Sequence, residues 1–249
     1  MSSQIKLSKI NTMPPKGMDK EKIKAETEEL LQEIDGFQNL LYASGKYSLL
    51  IVLQGMDASG KDGTIRKAFG HLNPQGVEVH SFKVPTAEEL SHDFLWRIHK
   101  NTPAKGMIQI FNRSHYEDIL VTRVHKLIDD KIAEERMKAI NQFEHLLTKH
   151  NNTQILKFYL HISHEEQKKR LQQRLDDRTK QWKYSESDLT ESKLWNNYMR
   201  AYEDAINNCN KIPWIITPAD TNWYKEYIVA KEVHRVLKGL NMRYPGLKK

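Results

Sequence analysis

Short apolar runs alternate along this chain with longer stretches whose apolar residues recur every three or four positions. Residues 47–54 are apolar at nearly every position and bounded by turn residues, the pattern of a strand buried on both faces. Residues 76–82, 106–111, 154–161 and 213–217 read as further strands. Between them the period lengthens. Residues 19–42 place Ile23, Leu30, Leu31, Ile34, Phe37 and Leu41 on one helical face, and Ser44-Gly45 ends the segment. Helices are likewise predicted over 60–72, 86–100, 114–124, 129–150, 163–175, 190–208 and 219–240. Thr86 with Glu89, and Ser163 with Glu166, have the spacing of capping boxes. Residues 1–18 show no period and carry Pro14, Pro15 and Gly17, so they read as an extended arm. Residues 176–189 are polar and charged, with no core face. Strands separated by helix-length segments imply βαβ units and a parallel sheet. The unbroken alternation predicts one α/β domain over 1–249, with an N-terminal helix at 19–45.

Composition adds limits to this picture. At 39% hydrophobic and 29% charged over 249 residues, the chain suits a soluble globular protein with a real core. No run approaches the ~18 apolar residues of a membrane span, and the N-terminus lacks the apolar core of a secretory signal. Membrane association is not expected. The one cysteine, Cys209, excludes an internal disulfide and points to a reducing cytoplasm. The eleven histidines show no zinc-type spacing. The net charge of +7 predicts a polyanionic partner: nucleic acid, nucleotide or inorganic polyphosphate. Charge alone does not separate these from a merely basic surface; the motifs do.

Residues 55–61 spell G-x-x-x-x-G-K between a predicted strand and a predicted helix, the order a phosphate-binding P-loop requires. Its glycines let backbone N–H groups turn toward an anion. The following helix adds its positive end, and Lys61 is a cation for a transferring phosphoryl group. The expected phosphate contacts are Gly55, Ala58, Ser59, Gly60, Lys61, Asp62 and Gly63. Asp62 stands where such loops carry the Ser or Thr that holds a metal. Asp57, inside the loop, is then the candidate ligand for Mg²⁺. The plain alternatives are a turn-stabilising role for Asp57 and a first-turn helix charge for Asp62, against a second metal contact.

A second constellation ends the strand at 106–111 with Asn112, Arg113 and Ser114. Arg113 supplies a planar cation for phosphate oxygens. Glu117, four residues on, would share a helix face with it and steer an acceptor phosphate, or else form a structural ion pair. Asn112 replaces the Asp such strand ends usually carry. A third is the run Arg170, Arg174, Arg178, Lys180 and Lys183, either a solvated face or a cationic lid over about 170–190. Lys83, Arg97 and Arg123, with Asn112, Arg113 and Glu117, are the candidate nucleotide contacts.

With these residues in view, the chain resembles polyphosphate kinase family 2. The carrying motifs are GMDASGKDG, SFKVPT, FLWR, IFNRSHYED and RLQQRLDDRTKQWK, spread over about residues 20–240. The resemblance implies a thymidylate-kinase-like P-loop kinase fold: a three-layer α/β/α sandwich with a five-stranded parallel sheet and a helical lid. It implies Mg²⁺-dependent, reversible phosphoryl transfer from inorganic polyphosphate to nucleotides, with Mn²⁺ as an alternative metal. In that family the residue matching Asp57 is a metal ligand, that matching Lys61 contacts polyphosphate, that matching Arg113 is essential, and those matching Arg174 and Arg178 hold the phosphate chain. The sequence Asn112-Arg113-Ser114-His115-Tyr116-Glu117 departs from the common Asp-Arg-Ser-Trp-Tyr-Asn and is similar to the subgroup that converts AMP to ADP and ADP to ATP. Guanine nucleotides stay open as acceptors, and a homo-oligomer, dimer or tetramer, is expected. Two rivals stand beside this reading. An ATP-dependent nucleoside or nucleotide monophosphate kinase is disfavoured by Asp57 and Asp62. A non-enzymatic nucleic-acid-binding protein is disfavoured by the intact Lys61 and by the lack of interleaved aromatic and basic residues.

Overall fold

The structure is a computed structural model that describes residues 4–247, and the backbone alone of Glu186, Ser187 and Leu189. The ends of the predicted 1–249 span, 1–3 and 248–249, lie outside the described residues. In chain order the elements are α1 (Lys20–Ser44), β1 (Ser48–Gln54), α2 (Lys61–Phe69), β2 (Val77–Ser81), α3 (Ala87–Leu90), α4 (Trp96–His99), β3 (Ile108–Asn112), α5 (Glu117–Val124), α6 (Asp130–Asn151), β4 (Thr153–His161), α7 (His164–Asp176), α8 (Glu186–Lys193), α9 (Trp195–Asn208), β5 (Trp214–Pro218) and α10 (Asn222–Gly239). The strands form a five-stranded sheet in the order β2-β3-β1-β4-β5, and every pairing is parallel.

Burial follows this order. Central β1 is buried at all seven positions, as its continuous apolar run requires, whereas edge strand β2 exposes Glu78 and Val79. The chain runs one way along the sheet from β1 to β2 and the other way from β3 to β4. Right-handed crossovers therefore set helices on opposite faces, with α1, α2 and α10 packed on one and α5, α6 and α9 on the other. Where the direction reverses, the loops after β1 and β3 open a crevice at the carboxyl ends of the strands. Among the described residues no helix is long and apolar enough to cross a membrane.

Local chemistry explains where the elements differ from expectation. The helix predicted over 86–100 keeps its Thr86–Glu89 capping box but stops after Leu90 and restarts at Trp96. Ser91 Oγ bonds the Glu88 carbonyl, and Asp93 Oδ1 accepts from Leu95 N at 2.9 Å, so short polar side chains compete with the helical ladder. At α7 only half of the second capping box forms. Ser163 Oγ accepts from Glu166 N, but Glu166 turns to Arg170 Nε at 2.9 Å, and Ser163 N goes to Asp220 Oδ1. The helix predicted over 190–208 begins earlier, as α8, and breaks at Leu194 before α9. The polar segment before it contains a 3-10 turn, Gln181–Lys183.

The described part of the N-terminal arm lies on its own chain. Ile5 N and Leu7 N donate to Asn207 Oδ1 and Glu203 Oε2, each at 2.8 Å, and Thr12 Oγ1 donates to Asp220 Oδ2 at 2.7 Å. Leu7 is fully buried in the main core.

Candidate active site

The loop from Gly55 to Gly60 joins the end of β1 to α2. Gly55 has φ 152°, and a Cβ there would lie 2.8 Å from the Leu160 carbonyl oxygen; Gly60 has φ 93°. Neither backbone suits a side chain. Lys61 opens α2 and folds back over the loop. Its Nζ donates to the Gly55 and Met56 carbonyls at 2.7 and 3.2 Å, and the residue is only 9% exposed. Burial, helped by the nearby Arg113 cation, pushes its pKa down to about 8, against the pull of Asp57, Glu117 and Asp62.

Arg113 follows the last residue of β3. Its backbone sits at φ 64°, a left-handed conformation disfavoured for a side-chain-bearing residue, and its N–H donates to the Leu53 carbonyl at 3.1 Å. This turn sends the guanidinium across to the P-loop. Arg113 Nη2 donates to Asp57 Oδ1 at 2.7 Å, and Nη1 lies 3.8 Å from Glu117 Oε2. The sequence spacing places Arg113 and Glu117 on a helix face together; α5 in fact starts at Glu117, and the pair meets through the Arg113 turn. Burial would lower the Arg113 pKa, but the Glu117 and Asp57 carboxylates outweigh it and raise it. Burial raises the Glu117 pKa, with Arg113 and Lys61 opposing.

The segment between them is pinned from beneath. Tyr116 OH donates to Glu144 Oε1 at 2.7 Å, and Lys157 Nζ reaches Glu144 Oε2, Tyr116 OH and the Cys209 carbonyl, each at 2.8 Å. His115 Nε2 lies 3.5 Å from Glu144 Oε1. All of these side chains are buried. Burial would raise the Glu144 pKa, but His115 and Lys157 hold it below the ordinary carboxylate value.

The two puzzling positions, Asp62 and Asn112, face each other. Asn112 Nδ2 donates to Asp62 Oδ1 at 2.9 Å, and Lys183 Nζ from the lid segment reaches Asp62 Oδ2 at 2.8 Å. An Asp at 112 would set two carboxylates in contact; the amide removes that repulsion. Burial would raise the Asp62 pKa, but the Lys183 and Asn112 bonds lower it. With both oxygens engaged, Asp62 links α2 to β3 and to the 3-10 turn that carries Lys183.

The other expected contacts have these surroundings. Arg170 spends every guanidinium N–H on protein: Nε on Glu166, Nη1 on the Ala58 and Ser59 carbonyls, Nη2 on the Ala219 and Asp220 carbonyls. It braces the loop from behind rather than lining it. Arg97 is buried, with Nη1 on the Lys83 carbonyl at 3.0 Å and Nη2 3.4 Å from Asp118 Oδ2, so it holds α4 to α5 rather than facing the crevice. Arg123 pairs with Asp204 and Asp130 at 2.6 and 2.7 Å. Lys83 is exposed at the end of β2. In the segment expected to be a lid, Arg174 pairs with Asp188 at 2.7 Å, Lys180 with Asp177 at 3.0 Å, and Arg178 is exposed.

Beside the P-loop lies an open cleft of about 400 Å³, bounded by Asp57, Arg113, Glu117, Trp195, Tyr198 and Tyr202. The α9 aromatics are absent from the sequence expectation because amphipathic helices routinely carry such residues to pack a core. Two further residues go unnoticed there. Gln167 of α7 donates to the Asp57 carbonyl at 3.1 Å and accepts from Ser192 Oγ at 3.0 Å. Lys225 of α10 reaches the Ser59 carbonyl at 3.3 Å. A signal for Lys225 exists: it stands four residues before Val229 on the line of Val233 and Leu237, a lysine on an apolar stripe.

Among the described residues no three His, Cys, Asp or Glu side chains gather as a metal cage. The donor set still fits Mg²⁺, which is commonly bound through one or two carboxylates plus substrate phosphates while keeping several waters. Asp57, partly exposed beside the loop with one oxygen on Arg113, is such a carboxylate. Cys209 is buried, its thiol pushed up to about 12 by burial, so it is no nucleophile.

A family model for polyphosphate kinase 2 matches residues 17–245. Among curated relatives, the chain is 48% identical over 218 residues to the AMP/ADP-polyphosphate phosphotransferase of Meiothermus ruber, covering 87% of this chain and 81% of that one. It is 40% identical over 229 residues to the ADP-polyphosphate phosphotransferase of Rhodopseudomonas palustris, covering 86% and 79%. The crystal structure of polyphosphate kinase 2 from Arthrobacter aurescens superposes with a TM-score of 0.95 at 40% identity, over 100% of this chain and 90% of that one.

Proposed function

Because the chain belongs to the polyphosphate kinase 2 family, we propose that it transfers phosphoryl groups between inorganic polyphosphate and adenine nucleotides, taking AMP to ADP and ADP to ATP, reversibly. The observation that carries this is the meeting of Lys61, Arg113 and Glu117 at one P-loop, beside an open cleft and under the cationic lid segment. The +7 chain suits a dense polyanion.

An acceptor phosphate oxygen bonds to the terminal phosphorus of the chain. The bridging P–O bond breaks, and its electron pair stays on the shortened chain. Such a transfer needs positioning and charge neutralisation and no covalent intermediate. Lys61 leaves its loop carbonyls for the phosphate oxygens, and Arg113 leaves Asp57 to span donor and acceptor. Glu117 keeps Arg113 oriented and sets which acceptor phosphate fits beside it. The lid's Arg174, Arg178, Lys180 and Lys183 neutralise the distal chain and exclude water. Mg²⁺, or Mn²⁺ in its place, held by Asp57 and the phosphates, would offset charge on the transferring group.

We place the enzyme in the cytoplasm as a homo-oligomer, dimer or tetramer. The test is to mix protein, Mg²⁺, long-chain polyphosphate and AMP or ADP without ATP. ADP and ATP are the expected products, and no nucleotide product refutes the reading.

A further inference from the structure

The P-loop is braced from outside by two cations that the reaction above does not use. Arg170 Nη1 donates to the carbonyls of Ala58 and Ser59 at 3.1 and 3.3 Å. Lys225 Nζ lies 3.3 Å from the Ser59 carbonyl, 3.5 Å from that of Gly60 and 3.1 Å from Asn222 Oδ1. Three successive loop carbonyls thus point outward at positive charge. All peptides here are trans, so each outward carbonyl turns the next N–H the opposite way. Ser59 N–H closes the turn onto Met56; those of Gly60 and Lys61 are left facing the anion side.

Lys225 differs from Arg170 in one respect. Arg170 has a carboxylate, Glu166, at 2.9 Å. Lys225 is 1% exposed, and among the described residues no carboxylate forms an ion pair with it. Burial, with the Arg170 cation and then Lys61, lowers its pKa to about 8, against the pull of the Glu226 carboxylate on the neighbouring position. The two carbonyl contacts are long, at 3.3 and 3.5 Å, and the third partner, Asn222 Oδ1 at 3.1 Å, is neutral, so no bonded counter-charge offsets the cost of burying the ammonium. What such a charge can do is act across a thin, dry layer of backbone on an anion in the loop. Gly60 is part of the same arrangement: a Cβ there would stand 2.3 Å from Lys225 Nζ. The glycine lets the ammonium lie directly against the loop.

We infer that Lys225 is a positioning residue for the phosphate chain. From behind the loop it holds the Ser59–Gly60–Lys61 peptides with their N–H groups inward, and its unpaired charge is compensated when phosphate occupies the loop. The inference rests on the polyphosphate reading of the site.

The test compares wild type, Lys225→Met, Lys225→Arg and Asn222→Ala. Binding of inorganic polyphosphate is measured by calorimetry. Steady-state kinetics vary polyphosphate at saturating AMP, and AMP at saturating polyphosphate. Lys225→Met is expected to weaken polyphosphate binding and raise its KM about tenfold, as for a charge acting at intermediate dielectric, with the AMP KM within about twofold and no fall in Tm. Lys225→Arg should recover most of the loss. A purely structural lysine would instead lower Tm and kcat and leave both KM values alone; that outcome overturns the inference. Should Lys225→Met not fold, Asn222→Ala, which removes the side-chain acceptor orienting Nζ, is expected to raise the polyphosphate KM about two- to threefold, and an unchanged KM overturns the inference equally. A wild type that does not bind polyphosphate would remove the functional reading as well, whereas wild-type binding with Lys225→Met unchanged removes the inference alone.

Discussion

The buried Lys61 makes alkaline pH a sharp probe of the site. Burial and the Arg113 cation bring its pKa from 10.5 to about 8. Binding the polyanion requires the ammonium, so the free enzyme's competence should fall as pH rises through that value. A single group with a pKa of 8 is about one-tenth protonated at pH 9, so kcat/KM for polyphosphate should drop about tenfold between pH 7 and 9. The drop is steeper where Lys225, also at about 8, titrates with it. Bound phosphate favours the ammonium, so kcat at saturating polyphosphate should lose much less over the same range.

Stability separates this from alkaline unfolding, because it moves the other way. Between about pH 8 and 10.5 the unfolded chain holds a proton on Lys61 that the folded chain has released. Unfolding then takes up protons, and stability rises with pH, by up to about 3 kcal/mol from this residue. The assay is initial-rate kinetics in polyphosphate from pH 6.5 to 10, with thermal unfolding in the same buffers. A kcat/KM that stays flat to pH 10, or that falls together with Tm between pH 8 and 9, would refute the assignment of Lys61 as the buried phosphate-binding cation.

Three further outcomes are expected. Asp57→Asn should lower Mg²⁺-dependent turnover about a hundredfold or more, with circular dichroism unchanged; a Mg²⁺ titration of the rate checks it, and near-wild-type activity would put the metal elsewhere. Glu117→Asn should depress phosphorylation of AMP more than that of ADP, read as the ratio of the two kcat/KM values, and an equal loss would end its role in acceptor choice. Glu144→Gln leaves Lys157 buried without its counter-charge, at a cost of about 3–5 kcal/mol. Calorimetry should then show Tm lower by roughly 10 °C.

Much of the molecule was legible in the chain. The five strands, most of the helices and the P-loop follow from patterns a few residues long: apolar continuity, helical period, glycine at a tight turn. The miss at 86–100 has the same local origin, since Ser91 and Asp93 offer the backbone bonds that the apolar period ignores. The 3-10 turn and the early start at α8 lay beyond the periodicity because little of the polar 176–189 segment packs on a core, whereas α9 falls inside the helix predicted over 190–208.

The cationic residues divide differently. Chain order alone puts Asp57 in the loop that Lys61 closes, and sets Arg113 and Glu117 together after a strand. On sequence, Arg97, Arg113, Arg123 and Arg170 are assigned alike to phosphate or nucleotide, because a guanidinium looks the same whether an anion or a protein carbonyl will meet it. It takes the folded chain to turn Arg113 to Asp57, to set Arg170 on the loop carbonyls, to engage Arg97 and Arg123 with Asp118, Asp130 and Asp204, and to bring Asn112 and Lys183 to Asp62. These partners lie between 7 and 121 residues apart. Coulomb attraction selects by distance in space, and the crossovers of the sheet set that distance. The same reason hid Lys225, a lysine from the last helix that becomes part of the phosphate site only when α10 packs behind the loop after β1.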